Sequence, residues 1–105
     1  MEHKAALQEA LRILEDRGAV YGGVEQSFER AAQLATLKLD RVVTPYEIAI
    51  VLESVKDARR AVNPFHMDSH LDGLNYRAFA AEFVETLGNN PPADPFIGPP
   101  RNVGA

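Results

Sequence analysis

The sequence predicts an all-α fold: a compact four-helix domain over residues 1–88, with helices 3 and 4 in an antiparallel hairpin, and an extended proline-rich tail over 89–105. Three observations predict it. Apolar residues recur at three- and four-residue steps in four segments. No segment alternates apolar and polar over a useful strand length. Each periodic segment is bounded by glycine, proline or a capping residue.

The first helix is predicted from about His3 to Arg17. Leu7, Leu11 and Leu14 follow i, i+4, i+7 spacing, and Gly18 is placed to end the helix as a left-handed cap. The second is predicted from about Val24 to Lys38, with Phe28, Ala32, Ala35 and Leu39 as its stripe. The third has the strongest start signal. In "TPYE", Thr44 sits at the N-cap, Pro45 at the first helical position and Glu47 where a capping box places it. It continues to about Val62, where Asn63-Pro64 stops it. Its "IAIVL" is apolar on nearly every side, which suits a central helix or one packed on a second chain. The fourth opens near "DSHLD", capped by Asp68 or Ser69, and runs to Leu87 before Gly88. The tail, "NNPPADPFIGPPRNVGA", carries five of the seven prolines and is expected to be extended or disordered alone, with Phe96 and Ile97 as anchors for another surface.

Composition narrows the function. The 105 residues are 46% hydrophobic and 25% charged, as in one small soluble domain. A chain this short buries a limited core, so a homo-oligomer is expected. The absence of cysteine excludes disulfides and thiolate metal sites. A net charge of −4 argues against nucleic acid as the main partner. No apolar run is long enough to span a bilayer, so no membrane partner is expected. The N-terminus lacks the pattern of a signal peptide, which points to the cytoplasm.

Two polar residues interrupt apolar stripes. Helix 3 reads Ile48, Leu52, Val55, Arg59, Val62, and helix 4 reads Asp72, Tyr76, Phe79, Phe83. In an antiparallel hairpin, Arg59 is expected opposite Asp72, with Lys56, Asn75 and Tyr76 one turn further in. That pair is either a structural clasp or the floor of a polar pocket open to an anion. Glu53, Asp57, Asp68 and Asp72 form two i, i+4 acidic pairs that would suit a hard divalent ion, although such pairs are also common on surfaces. With His3, His66 and His70 as its histidines, the chain has too few zinc ligands for a zinc site to be expected. No serine–histidine–acid spacing stands out, and "RGAVYGG" lacks the glycine spacing and lysine-hydroxyl ending of a P-loop. No catalytic residue is assigned.

Taken in order, "RGAVYG", Phe28, "TPYE" and "KDARRAVNPFHMDSHLDGLNY" resemble a family of small phage and prophage all-helical proteins of unassigned function. More distantly, the pattern is similar to nucleotide-modification-associated helical domains and to MazG-like nucleotide pyrophosphohydrolases. The MazG-like enzymes place carboxylates from two helices on magnesium. This chain lacks their E-x-x-E on helix 3 and has D-x-x-x-D in place of E-x-x-D on helix 4.

The resemblance implies an oligomeric helical protein that binds a nucleotide, a cyclic nucleotide or another phosphate-bearing ligand, to sequester a signal or to serve nucleotide metabolism. The ligand-binding residues expected are Arg17, Tyr21, Phe28, Lys56, Arg59, Arg60, Asn63, His66, Asp72 and Tyr76, with the "RGAVYGG" loop folded back so that Tyr21 covers or plugs the site. The alternative is a non-catalytic module binding a host or phage protein. A third option is a MazG-like pyrophosphohydrolase. No cofactor is expected, except magnesium under that third option.

Overall fold

A computed structural model describes the backbone of residues 1–21 and 23–88, and the side chains of all of these except 19–21. The tail and its Phe96–Ile97 anchor lie outside the described residues. Four α-helices follow in order: α1 (His3–Tyr21), α2 (Val24–Leu39), α3 (Pro45–Val62) and α4 (Met67–Phe83). A 3-10 turn, Val84–Leu87, extends α4 to Gly88, whose φ of 63° closes the segment. There is no strand among the described residues, and no described helix is long and apolar enough to cross a membrane.

The α3 start forms as its sequence dictates. Glu47 N–H donates to Thr44 Oγ1 at 3.2 Å, and Thr44 N–H donates to Glu47 Oε1 at 2.9 Å. Two of the free donors of a helix start are thereby satisfied. The approach to α3 is held by Thr36. Its hydroxyl donates to the Ala32 carbonyl at 2.7 Å and accepts from Val43 N–H at 2.9 Å.

Two expected boundaries are corrected. Gly18 does not cap α1, which runs through it to Tyr21. Positive φ is confined to Asp40 and Gly88 among the described residues, so Gly18 keeps helical geometry. A helical glycine costs about 1 kcal/mol relative to alanine, too little to stop a helix whose next residues, Ala19, Val20 and Tyr21, continue it. Most of "RGAVYGG" is therefore helix, and the α1–α2 joint is short. Neither Asp68 nor Ser69 caps α4; His66 occupies that position. Asn63 Oδ1 accepts from Phe65 N–H at 3.1 Å and the Asn63 carbonyl accepts from His66 N–H at 3.2 Å. This tight turn brings the chain into α4 at Met67, two residues before Ser69.

α3 and α4 form the antiparallel hairpin and share the most extensive contact in the molecule; α1 lies against α4, and α2 against α3. Phe28, Ala49, Ala80 and Phe83 form the buried centre, with Ile48, Leu52, Tyr76 and Phe79 around it. The Phe28 ring centroid lies 5.2 Å from both Phe79 and Phe83, in tilted contacts. Ala49 is fully buried, and Ala80 nearly so. Small residues at these positions let α3 and α4 approach closely.

The face of α3 turned to α4 differs from the expected stripe. Ala49, Leu52, Glu53 and Lys56 face inward, while Val55, Arg59 and Val62 are exposed. The cause is that the seam is ionic. Glu53 and Lys56 reach across it to partners on α4, so the valines of the same helix are left outside. "IAIVL" is accordingly split, with Ala49 inside and Val51 more than half exposed.

Candidate functional site

The C-terminal end of α1, the start of α2 and the middle of α4 enclose a cavity of about 180 Å³. α1 contributes Leu14, Arg17 and Gly18. Gly23, Val24, Ser27 and Phe28 come from the α2 start, and Asp72, Asn75, Tyr76 and Phe79 from α4. Helical spacing explains the α4 wall, since residues 72, 75, 76 and 79 follow i, i+3, i+4, i+7 on one face. The lining divides by chemistry. Phe28, Tyr76, Phe79, Leu14 and Val24 make an apolar wall, and Asp72, Arg17, Asn75 and Ser27 add the polar groups. No side chain at Gly18 obstructs the space, and a Cβ there would meet nothing within 4 Å.

Asp72 is the anchor of the polar part. It is buried, with 8% of the residue exposed. Lys56 Nζ of α3 lies 3.0 Å from Oδ2, and Arg17 Nη1 of α1 lies 3.2 Å from Oδ1. One carboxylate thus ties three helices, and two cations around one anion leave the cluster with a surplus of one positive charge. The two arms differ. The Lys56 side chain is 17% exposed, whereas that of Arg17 is 57% exposed and lies at the rim. Asn75 adds a further tie, donating from Nδ2 to the Ala10 carbonyl at 2.9 Å.

The expected Arg59–Asp72 pair is corrected by this arrangement. Lys56 takes the place opposite Asp72, and the Cβ built at Gly73 would lie 3.8 Å from Lys56 Cβ. The hairpin pairing is displaced by about one turn from the expected one, because α4 begins at Met67 directly after the tight turn. Arg59 instead lies near Ser69, in a wide pocket of about 420 Å³ formed by Ala58, Arg59, Val62, Asn63, His66 and Ser69.

The ten expected ligand-binding residues therefore separate. Arg17, Phe28, Asp72 and Tyr76 line the cavity, and Lys56 stands behind it through Asp72. Arg59, Asn63 and His66 line the hairpin pocket. Arg60 joins neither, and its Nη2 bonds Asp57 Oδ1 at 2.8 Å. The Tyr21 side chain lies outside the described residues. The acidic candidates do not come together either: Glu53 bonds Arg77, Asp57 bonds Arg60, and Asp68 is exposed. No group of three or more histidine and acidic residues suited to a metal forms among the described residues.

Leu14, Gly18, Gly23, Val24, Ser27 and Phe79 line the cavity without having been expected to bind ligand, as does Asn75, expected only as a neighbour of the polar cluster. Asn75 carried a signal, being a polar residue three positions after Asp72 on an inward face. Ser27 carried none.

Glu53, the second buried carboxylate, takes the Arg77 Nε–H at 2.7 Å. That hydrogen bond, and then the Glu53 charge, raise the Arg77 guanidinium above its already high ordinary value.

A family model described as a domain of unknown function, DUF6378, matches residues 5–84. The chain belongs to the DUF6378 family. The DUF6378 span takes in nearly all of α1 and the whole of α2, α3 and α4, and so contains both the cavity and the hairpin pocket. No curated protein and no solved structure matches the chain.

Proposed function

We propose that this DUF6378 domain is a small cytoplasmic nucleotide-binding protein of phage type, without chemistry of its own. It takes a nucleobase into the aromatic cavity and the attached phosphate at Arg17. The observation that carries this is the pairing, in one cavity, of an aromatic wall with an exposed arginine on a cluster of surplus positive charge. A volume of about 180 Å³ is below the ~300 Å³ at which pockets for drug-sized ligands begin. It exceeds the ~150 Å³ that holds a benzene ring. A single ring system therefore fits inside, and the sugar and phosphate remain at the rim. Arg17 suits that phosphate, because a guanidinium offers paired donors to an oxyanion. The role follows as sequestration of a nucleotide signal or service in nucleotide metabolism, in keeping with the resemblance to phage proteins and to nucleotide-modification domains.

Calorimetric titration of the folded protein with nucleoside mono- and triphosphates and cyclic dinucleotides tests it. Saturable binding that Arg17→Gln weakens supports the assignment. An absence of heat and of thermal shift with every member of the panel refutes it.

A second function is favoured by one surface. Val51, Val55, Ala58 and Val62 form an exposed i, i+4, i+7, i+11 stripe on α3. Such a stripe suits a protein-interaction module that associates with a second copy or with a host or phage protein. Sedimentation velocity on the wild type and on Val55→Lys tests it. A monomer at all concentrations, with no specific capture of a phage or host protein, removes it. The MazG-like option is not favoured, since the four carboxylates it needs are engaged apart from one another or exposed.

A further inference from the structure

We infer, resting on the nucleotide reading of the cavity between α1, α2 and α4, that this cavity selects its base: it takes the amino-substituted single ring of a cytosine nucleotide over uracil, thymine or a purine. Asn75 and Asp72 are the residues that set the preference.

The polar atoms that α4 leaves to the cavity are acceptors. Asn75 lines the cavity, and its Nδ2 is committed to the Ala10 carbonyl of α1 at 2.9 Å. A backbone carbonyl only accepts, so this contact fixes which end of the amide is nitrogen. Oδ1 is then the polar atom that Asn75 keeps open, with no hydrogen-bond partner among the described residues. Asp72 also lines the cavity and is buried, with 8% of the residue exposed. A carboxylate has about four acceptor sites. Arg17 takes one on Oδ1 and Lys56 one on Oδ2, so each oxygen keeps a second. Residues three apart are neighbours on a helix surface. Asp72 and Asn75 thus present adjacent acceptors, and a ring that satisfies both must bring two N–H groups.

The exocyclic amine of cytosine carries two hydrogens, one for each acceptor. Uracil and thymine place a carbonyl oxygen at that position, where it would meet a carboxylate and an amide oxygen with no proton between them. A site whose buried polar groups are left unpaired rejects such an analogue strongly. Adenine and guanine also carry amines, but on two fused rings. The cavity, at about 180 Å³, is little larger than the ~150 Å³ that holds benzene. One six-membered ring fills it and a purine overfills it. Phe28, Tyr76 and Phe79 give the ring faces an aromatic wall. Arg17 keeps further N–H groups beyond the one on Asp72, and these serve the phosphate at the rim.

Calorimetric titration of the full chain with cytidine, uridine and adenosine monophosphates tests the preference, with free cytosine and free uracil titrated in parallel. The cytidine nucleotide is expected to bind about tenfold or more tighter than either of the others. Uridine isolates the acceptor pair, because its ring has the same size. Adenosine isolates the size limit, because its ring has the same amine. Asn75→Leu keeps the bulk of the side chain and removes Oδ1; it should lower the cytidine-to-uridine ratio to about threefold or less. Circular dichroism checks the fold of that variant, and the wild-type ratios decide the matter without it. Uridine or adenosine monophosphate binding as tightly as the cytidine nucleotide overturns the base assignment and leaves the nucleotide reading standing. A folded Asn75→Leu variant with the full preference overturns it too. No binding of any nucleotide or free base overturns both.

Discussion

Replacing Asp72 with asparagine keeps the shape of the side chain and removes its charge. Lys56 then loses its only anionic partner among the described residues while remaining 17% exposed. Breaking a buried pair from one side costs about 3–5 kcal/mol, because a charge is stranded. The Arg17 arm adds little, since a side chain 57% exposed is screened by solvent and such contacts contribute about 1 kcal/mol or less. The low end, about 3 kcal/mol, is therefore expected. Domains of this size have about 5–15 kcal/mol in total, so the variant folds but melts about 12–24 °C lower. Urea denaturation followed by circular dichroism measures the loss. Adding Lys56→Met removes the stranded ammonium and should return most of it. A loss below about 1 kcal/mol, or a double variant no more stable than Asp72→Asn alone, would refute the view of Asp72 as a buried tie between three helices.

Further outcomes are expected elsewhere. Gly18→Ala should raise stability by about 0.5–1 kcal/mol, because a helical glycine with open space around it gains from a methyl group; a loss on chemical denaturation would show that α1 ends there instead. Thr44→Ala should cost about 1 kcal/mol through loss of the capping box, read from the same denaturation curves. Partial desolvation, then the hydrogen bond and charge of Glu25, and last the charge of Glu85, raise the Glu82 carboxyl above its ordinary value of 4.5. A carboxyl with a raised folded value contributes stability below its unfolded value and loses that contribution as pH rises through the folded one. Glu82→Gln should therefore melt above the wild type at pH 7, and the gap should close as pH falls below 4.5; a gap independent of pH would dismiss the Glu25 interaction.

How much could be read in advance depended on the range of the forces involved. The α3 start was legible because Thr44, Pro45 and Glu47 act within four residues. The α4 face was legible because Tyr76, Phe79 and Phe83 repeat at helical spacing without competition. The α3 face was not. Its valines matched the apolar template, but the side turned inward holds Glu53 and Lys56, whose burial depends on partners 24 and 16 residues away respectively. The Arg59 assignment failed for the same reason, since K-x-x-R presents two cations one turn apart and only the tight turn at Asn63–His66 decides which meets Asp72. At the α1 end, a glycine before three helix-compatible residues was a weak stop. Four of the ten expected binding residues nevertheless line one cavity, since Arg17, Phe28, Asp72 and Tyr76 come from three helices that meet there.

The two cations of K-x-x-R give the ionic seam a built-in ambiguity, and Glu53 resolves it. Sliding α3 by one turn would present Arg59 to Asp72 and leave that carboxylate content. The same slide would carry Glu53 from Arg77 toward Ala80, where nothing can accept its charge. The two bonds together act like a key with two teeth: either alone fits more than one alignment, and only the native alignment fits both.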